Sequence, residues 1–256
     1  MRRQNLCLIA PLLAASAMWF SVPANAAPQS QSAKSSAASA ALAHDLSGTW
    51  LLTARGRVRS LSKQAPPMTP LGQEKFNASK PGFGPRAVPG GNDPIGHCDP
   101  PGLPRTLMSE RPIQFLQIAG RMLQFLESYH TWRDIWTDGR ELPKDPDPRW
   151  YGYSIGKWQG DTFVVDSTGF DERSWADSLG YPHSDAMHLD ERYRRVDHDT
   201  LELTITLDDP TIYTKSWVSD PQIFKLEPQQ GLEEDFCVGS EEESFNQRLR
   251  NPAAGK

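Results

Sequence analysis

Residues 201–207 read Leu-Glu-Leu-Thr-Ile-Thr-Leu, so Leu201, Leu203, Ile205 and Leu207 project to one side of an extended chain and Glu202, Thr204 and Thr206 to the other. A repeat of two does not match the helical repeat of about 3.6, and it commits the stretch to a strand with one buried face. Residues 189–196 precede it across Asp197-His198-Asp199-Thr200, a polar turn between two alternating runs, which predicts a hairpin. The same logic pairs 113–118 with 121–126 across Ala119-Gly120, and 153–158 with 162–167 across Gln159-Gly160-Asp161. Further strands are expected over 49–55, over 133–137 ending at the Asp138-Gly139 turn, over 213–219 and over 223–226. Only 70–77 starts like a helix, with Thr69 as cap, Pro70 in the first position and Glu74 in an early turn.

About ten short strands must bury a common face, and a closed barrel or a two-layer sandwich does so. The expected fold is mostly β, an antiparallel up-and-down barrel with long irregular loops and few short helices, because neighbours joined by tight turns need no crossing connections. Long connections at 81–112, 141–150 and 170–188 exceed what a turn requires, and such loops on a rigid scaffold are where sites are built.

The chain begins as an exported protein does. Arg2 and Arg3 precede an apolar run over 6–22, and Ala24-Asn25-Ala26 supplies a cleavage site, so 1–26 reads as a signal peptide. The run is broken by Pro11 and is shorter than the roughly 20 residues a spanning helix needs. No integral membrane segment is expected after cleavage, and the location is periplasmic or secreted. Residues 27–44, rich in Ser, Ala and Gln, read as a flexible tether, 45–250 as a single domain and 251–256 as a disordered tail. The formal charge of −5 becomes more negative once Arg2 and Arg3 leave, which argues against a nucleic-acid partner. Arg192, Arg194 and Arg195 cluster but are flanked by Asp190, Glu191 and Asp197, as on a solvated strand face. Of three cysteines, Cys98 and Cys237 remain after cleavage, and an even number in an oxidising compartment predicts a disulfide, two free thiols being the alternative.

Ser47-Gly48-Thr49-Trp50 at the head of the first strand resembles the Gly-x-Trp motif of lipocalins, whose tryptophan closes one end of a ligand-holding barrel. A wider set of motifs resembles a family of exported bacterial proteins. It runs through Lys80-Pro-Gly-Phe-Gly-Pro-Arg86, Cys98-Asp-Pro-Pro-Gly-Leu-Pro-Arg105, Trp136-Thr-Asp-Gly-Arg140, Trp158-Gln-Gly-Asp-Thr162, Pro182-His-Ser-Asp-Ala186 and Glu191-Arg-Tyr-Arg-Arg195. That resemblance implies export and carries no catalytic residue with it.

Two groups of residues have the chemistry for a site. His183, Asp185, His188 and Glu191 combine imidazole and carboxylate, the makings of an acid–base catalyst, set against a structural reading in which they satisfy loop backbone. Their His-x4-His spacing is not that of a helical metal site, and no metal or cofactor is expected. His130, Arg133, Asp138 and Arg140, with Trp136, Trp150 and Trp158, are candidates to orient an anionic or carbonyl-bearing ligand on flat rings, the alternative being an ion-paired hairpin. Nucleophile-elbow, phosphate-loop and dinucleotide signatures are missing. The leading expectation is therefore a small-molecule binder with an aromatic-lined cavity. An isomerase, lyase or hydrolase working on a small organic substrate is second, and an envelope interaction protein using the acidic 233–243 stretch is third.

Overall fold

The computed structural model describes residues 44–54, 59–245 and 247–248. The expected signal peptide, all of the tether but His44, and the 251–256 tail lie outside the described residues.

Ten strands form one sheet: β1 (Gly48–Leu52), β2 (Ile113–Ile118), β3 (Arg121–Leu126), β4 (Thr131–Trp136), β5 (Tyr153–Gln159), β6 (Thr162–Thr168), β7 (His188–Asp197), β8 (Thr200–Asp208), β9 (Trp217–Val218) and β10 (Gln222–Leu226). β1 to β8 neighbour one another in chain order, and β10 pairs with both β8 and β1, so nine strands close into a barrel. The short β9 pairs with the far end of β8, at Thr206 and Leu207.

The mostly antiparallel barrel with long loops is as the alternating runs foretold, with one departure. β4 and β5 run parallel and meet at only two positions, Ile135 opposite Ser154 and Trp136 opposite Ile155. The Asp138-Gly139 turn closes no hairpin. Instead the chain continues through residues 137–152 and re-enters beside β4 in the same direction, as a parallel pair requires. The strand expected over 213–219 shrinks to β9, because Asp209 starts a tight turn in which its carbonyl accepts from the Ile212 and Tyr213 amides.

α1 (Pro70–Ala78) has the expected cap, Thr69 Oγ1 accepting from Gly72 N at 3.0 Å. Gly72 lets this helix touch the loop after β8, since a Cβ there would lie 2.2 Å from the Ile212 carbonyl oxygen. A second helix, α2 (Gly239–Phe245), was not foreseen in the acidic stretch. Among the described residues no helix is long and apolar enough to cross a membrane. Cys98 and Cys237 form the expected disulfide, 139 residues apart with a Cα–Cα distance of 5.4 Å.

Inward-facing side chains fill the barrel. Trp50, Phe115, Phe163, Tyr193 and Phe224 are fully buried beside Leu201, Leu203, Ile205 and Leu207. Trp50 is anchored by its Nε1 donating to Leu46 O at 2.9 Å, and the Arg195 guanidinium lies 5.1 Å from its ring. Arg195 donates to Asp45 O (2.7 Å) and His198 O (2.6 Å), so it does not belong to a solvated face. Alternation in β7 turns Leu189, Glu191, Tyr193 and Arg195 inward, so that of the three arginines Arg192 and Arg194 are left outside.

Candidate binding cleft

The interior contains charge as well as hydrocarbon. Gln124 on β3 lies opposite Arg133 on β4, and Ser154 on β5 lies opposite Ser167 on β6, so the sheet register brings polar groups from four strands to one level. Glu191 and Tyr193 enter that level from β7. Arg133 grips Glu191 in a fork, Nη1 to Oε1 at 2.8 Å and Nη2 to Oε2 at 2.5 Å, and its Nε donates to Gln124 Oε1 at 2.7 Å. Tyr193 donates to Glu191 Oε2 at 2.7 Å, and the Ser154 and Ser167 hydroxyls join at 2.8 Å. Burial would lower the Arg133 pKa, but the Glu191 carboxylate outweighs it and holds the guanidinium above its ordinary value. Burial first, and the same carboxylate second, push the Tyr193 hydroxyl well above its usual range. Glu191 is thus answered inside the barrel by Arg133 and Tyr193, and the pair serves the core.

Open space lies in the barrel wall instead. Because β4 and β5 meet at two positions and then diverge, a cleft of about 670 Å³ opens between them, roofed by the 137–152 loop. Arg133 and Ser154 reach its floor, while Trp132, Trp136, Trp150, Tyr151 and Tyr153 supply its rings. Two indoles are held in place by stacked guanidinium groups: Arg140 lies 3.5 Å from the Trp136 ring centre and Arg173 lies 4.4 Å from that of Trp150. Both arginines are also forked to a neighbouring carboxylate, Arg140 to Asp138 and Arg173 to Asp171, each at 2.6 Å. These forks hold the Asp138 and Asp171 carboxyls below their ordinary pKa. Arg149 differs, lying 4.2 Å over the Tyr153 ring with no ion pair among the described residues.

Of the residues singled out in the sequence, Arg133, Trp136, Arg140 and Trp150 line this cleft, and Asp138 anchors it from behind through Arg140. His130 and Trp158 do not. The His130 ring is exposed and packs on Phe236 at 5.1 Å, while Trp158 lies beside His44 (4.7 Å) near the turn joining β5 and β6. Arg149, Tyr151 and Tyr153 were missed, although Pro148-Arg149-Trp150-Tyr151 in a long loop is an unusually aromatic run.

His183, Asp185, His188 and Glu191 do not converge. His183 is fully buried, its Nε2 2.8 Å from Ser174 Oγ and its Nδ1 3.1 Å from Ser184 O, and burial lowers its pKa so that the ring stays neutral. Asp185 is exposed, and His188 is half-buried with Asp166 Oδ1 at 3.9 Å. Glu191 belongs to the barrel core. Among the described residues no three His, Cys, Asp or Glu side chains are grouped to hold a metal ion.

The loop layer outside the wall buries polar groups less completely. Asp177 is fully buried, and its Oδ1 accepts from the Leu179 amide at 2.8 Å and the Tyr181 amide at 3.3 Å. Its Oδ2 has no hydrogen bond among the described residues. Burial therefore pushes the Asp177 carboxyl up to about 6. The Tyr151 hydroxyl is likewise buried without a hydrogen bond among the described residues, and burial raises its pKa well above the ordinary value. Tyr129 and His130, at φ 60° and 45°, are consecutive non-glycine residues in the left-handed region, a costly conformation held by surrounding bonds.

No protein-family model, curated protein or solved structure matches this chain.

Proposed function

We propose that this chain is an exported binding protein that captures a flat organic anion in the cleft between β4 and β5. The observation that carries the reading is the meeting of Trp136, Trp150 and Tyr153 with Arg149, a cation that no neighbouring carboxylate neutralises among the described residues. A planar ring would lie against the indoles, and its carboxylate or phenolate would meet the guanidinium, whose flat fork suits such groups. The volume falls within the roughly 300–1,000 Å³ common to small-molecule sites. Export is supported by the leader pattern in the sequence and by the disulfide, a bond that persists in oxidising compartments.

Titrating the protein with naphthoate and indole carboxylates while following tryptophan emission tests the reading. Saturable quenching is expected, with affinity reduced roughly tenfold in Arg149→Glu, about 1.4 kcal/mol. Equal binding of the uncharged amides, or an unchanged Arg149→Glu titration, would remove the anion from the proposal.

A further inference from the structure

A second cavity, of about 330 Å³, lies on the other side of the segment that borders the cleft: Pro100 lines the cleft and Pro101 lines the cavity. Its wall is largely carbon, from Phe83, Ile95, Pro101, Met108 and Tyr129. Among the described residues, the charged groups at its edge are matched internally. Arg105 forks to Asp93 at 2.8 and 2.6 Å, and Arg59 meets Glu110 at 3.6 Å. Arg111 bridges Glu127 (3.3 Å) and Asp235 (3.4 Å). A charged ligand would have to break one of these pairs, whereas a neutral one leaves them intact. Ser128, which also lines the space, makes no hydrogen bond among the described residues, so its hydroxyl is available to a ligand.

One side of this cavity depends on a distant part of the chain. The Cys98–Cys237 bond brings the segment before α2 against the Pro94–His97 turn. From there Asp235 accepts from both Arg111 and the Tyr129 amide (3.3 Å), and the Glu233 amide donates to Glu127 Oε2 at 3.0 Å. Tyr129 is thus fixed in its left-handed conformation, its hydroxyl donating to Ile95 O at 3.2 Å, by contacts that the disulfide assembles.

We infer that the cavity behind Tyr129 is a second ligand site, distinct from the cleft, which takes a neutral, mainly apolar molecule with one hydrogen-bonding group. The disulfide-linked tail does not line it but buttresses two of its wall residues, Arg111 and Tyr129, through Asp235. Apolar pockets with a few placed polar groups are the usual form of such sites.

The test uses the oxidised full-length chain and N-phenylnaphthylamine, a neutral fluorescent probe with a single N–H. Saturable binding with blue-shifted emission is expected at a stoichiometry of one. Ser109→Trp, which projects an indole into the cavity, should weaken it at least tenfold. Phe83→Ala alters an exposed wall residue without touching the core and should weaken it several-fold. Cys98→Ser with Cys237→Ser should also weaken it several-fold, while Trp150→Ala in the cleft should leave it unchanged. Absent or non-saturable binding, or binding that ignores both cavity variants, would overturn the assignment. So would loss of the probe in Trp150→Ala, by placing it in the cleft.

Discussion

The barrel interior and the loop layer against its wall bury polar groups in opposite ways. Inside, Glu191 is forked by Arg133 and touched by Tyr193, and each member of the network answers another. Outside, Asp177 is held chiefly by the Leu179 and Tyr181 amides, and the two buried side-chain atoms without a hydrogen bond among the described residues, Asp177 Oδ2 and the Tyr151 hydroxyl, both belong to this layer. Completed networks fill space and hold one arrangement, whereas incomplete ones accompany cavities. That contrast explains why both cavities described above involve loops while the lumen is closed by side chains.

The sharpest way to break the comparison is to remove one half of the interior pair. Arg133→Met leaves Glu191 charged and unanswered in the core, and urea unfolding is expected to show a loss of about 3–5 kcal/mol. Adding Glu191→Leu should restore most of it. If the single variant costs no more than a surface substitution, water reaches the network and the interior is not the sealed region described.

Asp177 should respond in the reverse sense. Its carboxyl, raised to about 6 from an ordinary 3.8, takes up a proton in the folded state before the unfolded chain does, so its contribution to stability grows as pH falls through 6 and is complete below 3.8. Above pH 6 the buried charge costs about 3 kcal/mol. His183 acts oppositely: burial depresses its pKa, so the unfolded chain protonates first and stability is lost as pH falls below about 6.5. The difference between wild type and Asp177→Asn isolates the carboxyl. The variant should be the more stable at pH 7.5, by up to that amount, and the advantage should vanish near pH 4. A pH-independent difference would place Asp177 in contact with water.

Smaller effects belong to the cleft. Trp150→Ala should reduce binding of an aromatic carboxylate roughly tenfold, about 1.4 kcal/mol, while moving the urea midpoint little, because this ring is only half-buried. Asp138→Asn, which frees Arg140 at the surface, should leave the midpoint unmoved and change ligand affinity only through the pose of Trp136. A clear drop in stability would mean that the 137–152 loop supports the barrel.

Much of the fold was legible because alternation is local. The runs at 113–118, 121–126 and 201–207 determine their own faces, and hairpin turns determine their partners. What escaped depends on contacts distant in sequence. The Asp138-Gly139 turn marked where a strand ends but not what pairs with it, and only the return of residues 153–159 beside β4 makes that pair parallel. Glu191 was read with the exposed arginines around it. Yet its two-residue spacing from Leu189 and Tyr193 already placed it inside, where a carboxylate requires a cation such as Arg133. Four cleft residues were found through aromatic and basic composition. Arg149 was passed over because the absence of a partner is visible only in three dimensions.

The strand count itself has a consequence. In a ring whose members alternate up and down, the tally must be even, and nine is odd, so somewhere two adjacent strands must point the same way. The chain can satisfy that arithmetic only by travelling back along the outside before starting β5. Residues 137–152 are therefore a topological obligation rather than a decoration, and shortening them to a tight turn would reverse every strand that follows. The gap they arch over comes with the odd number, whatever molecule comes to occupy it.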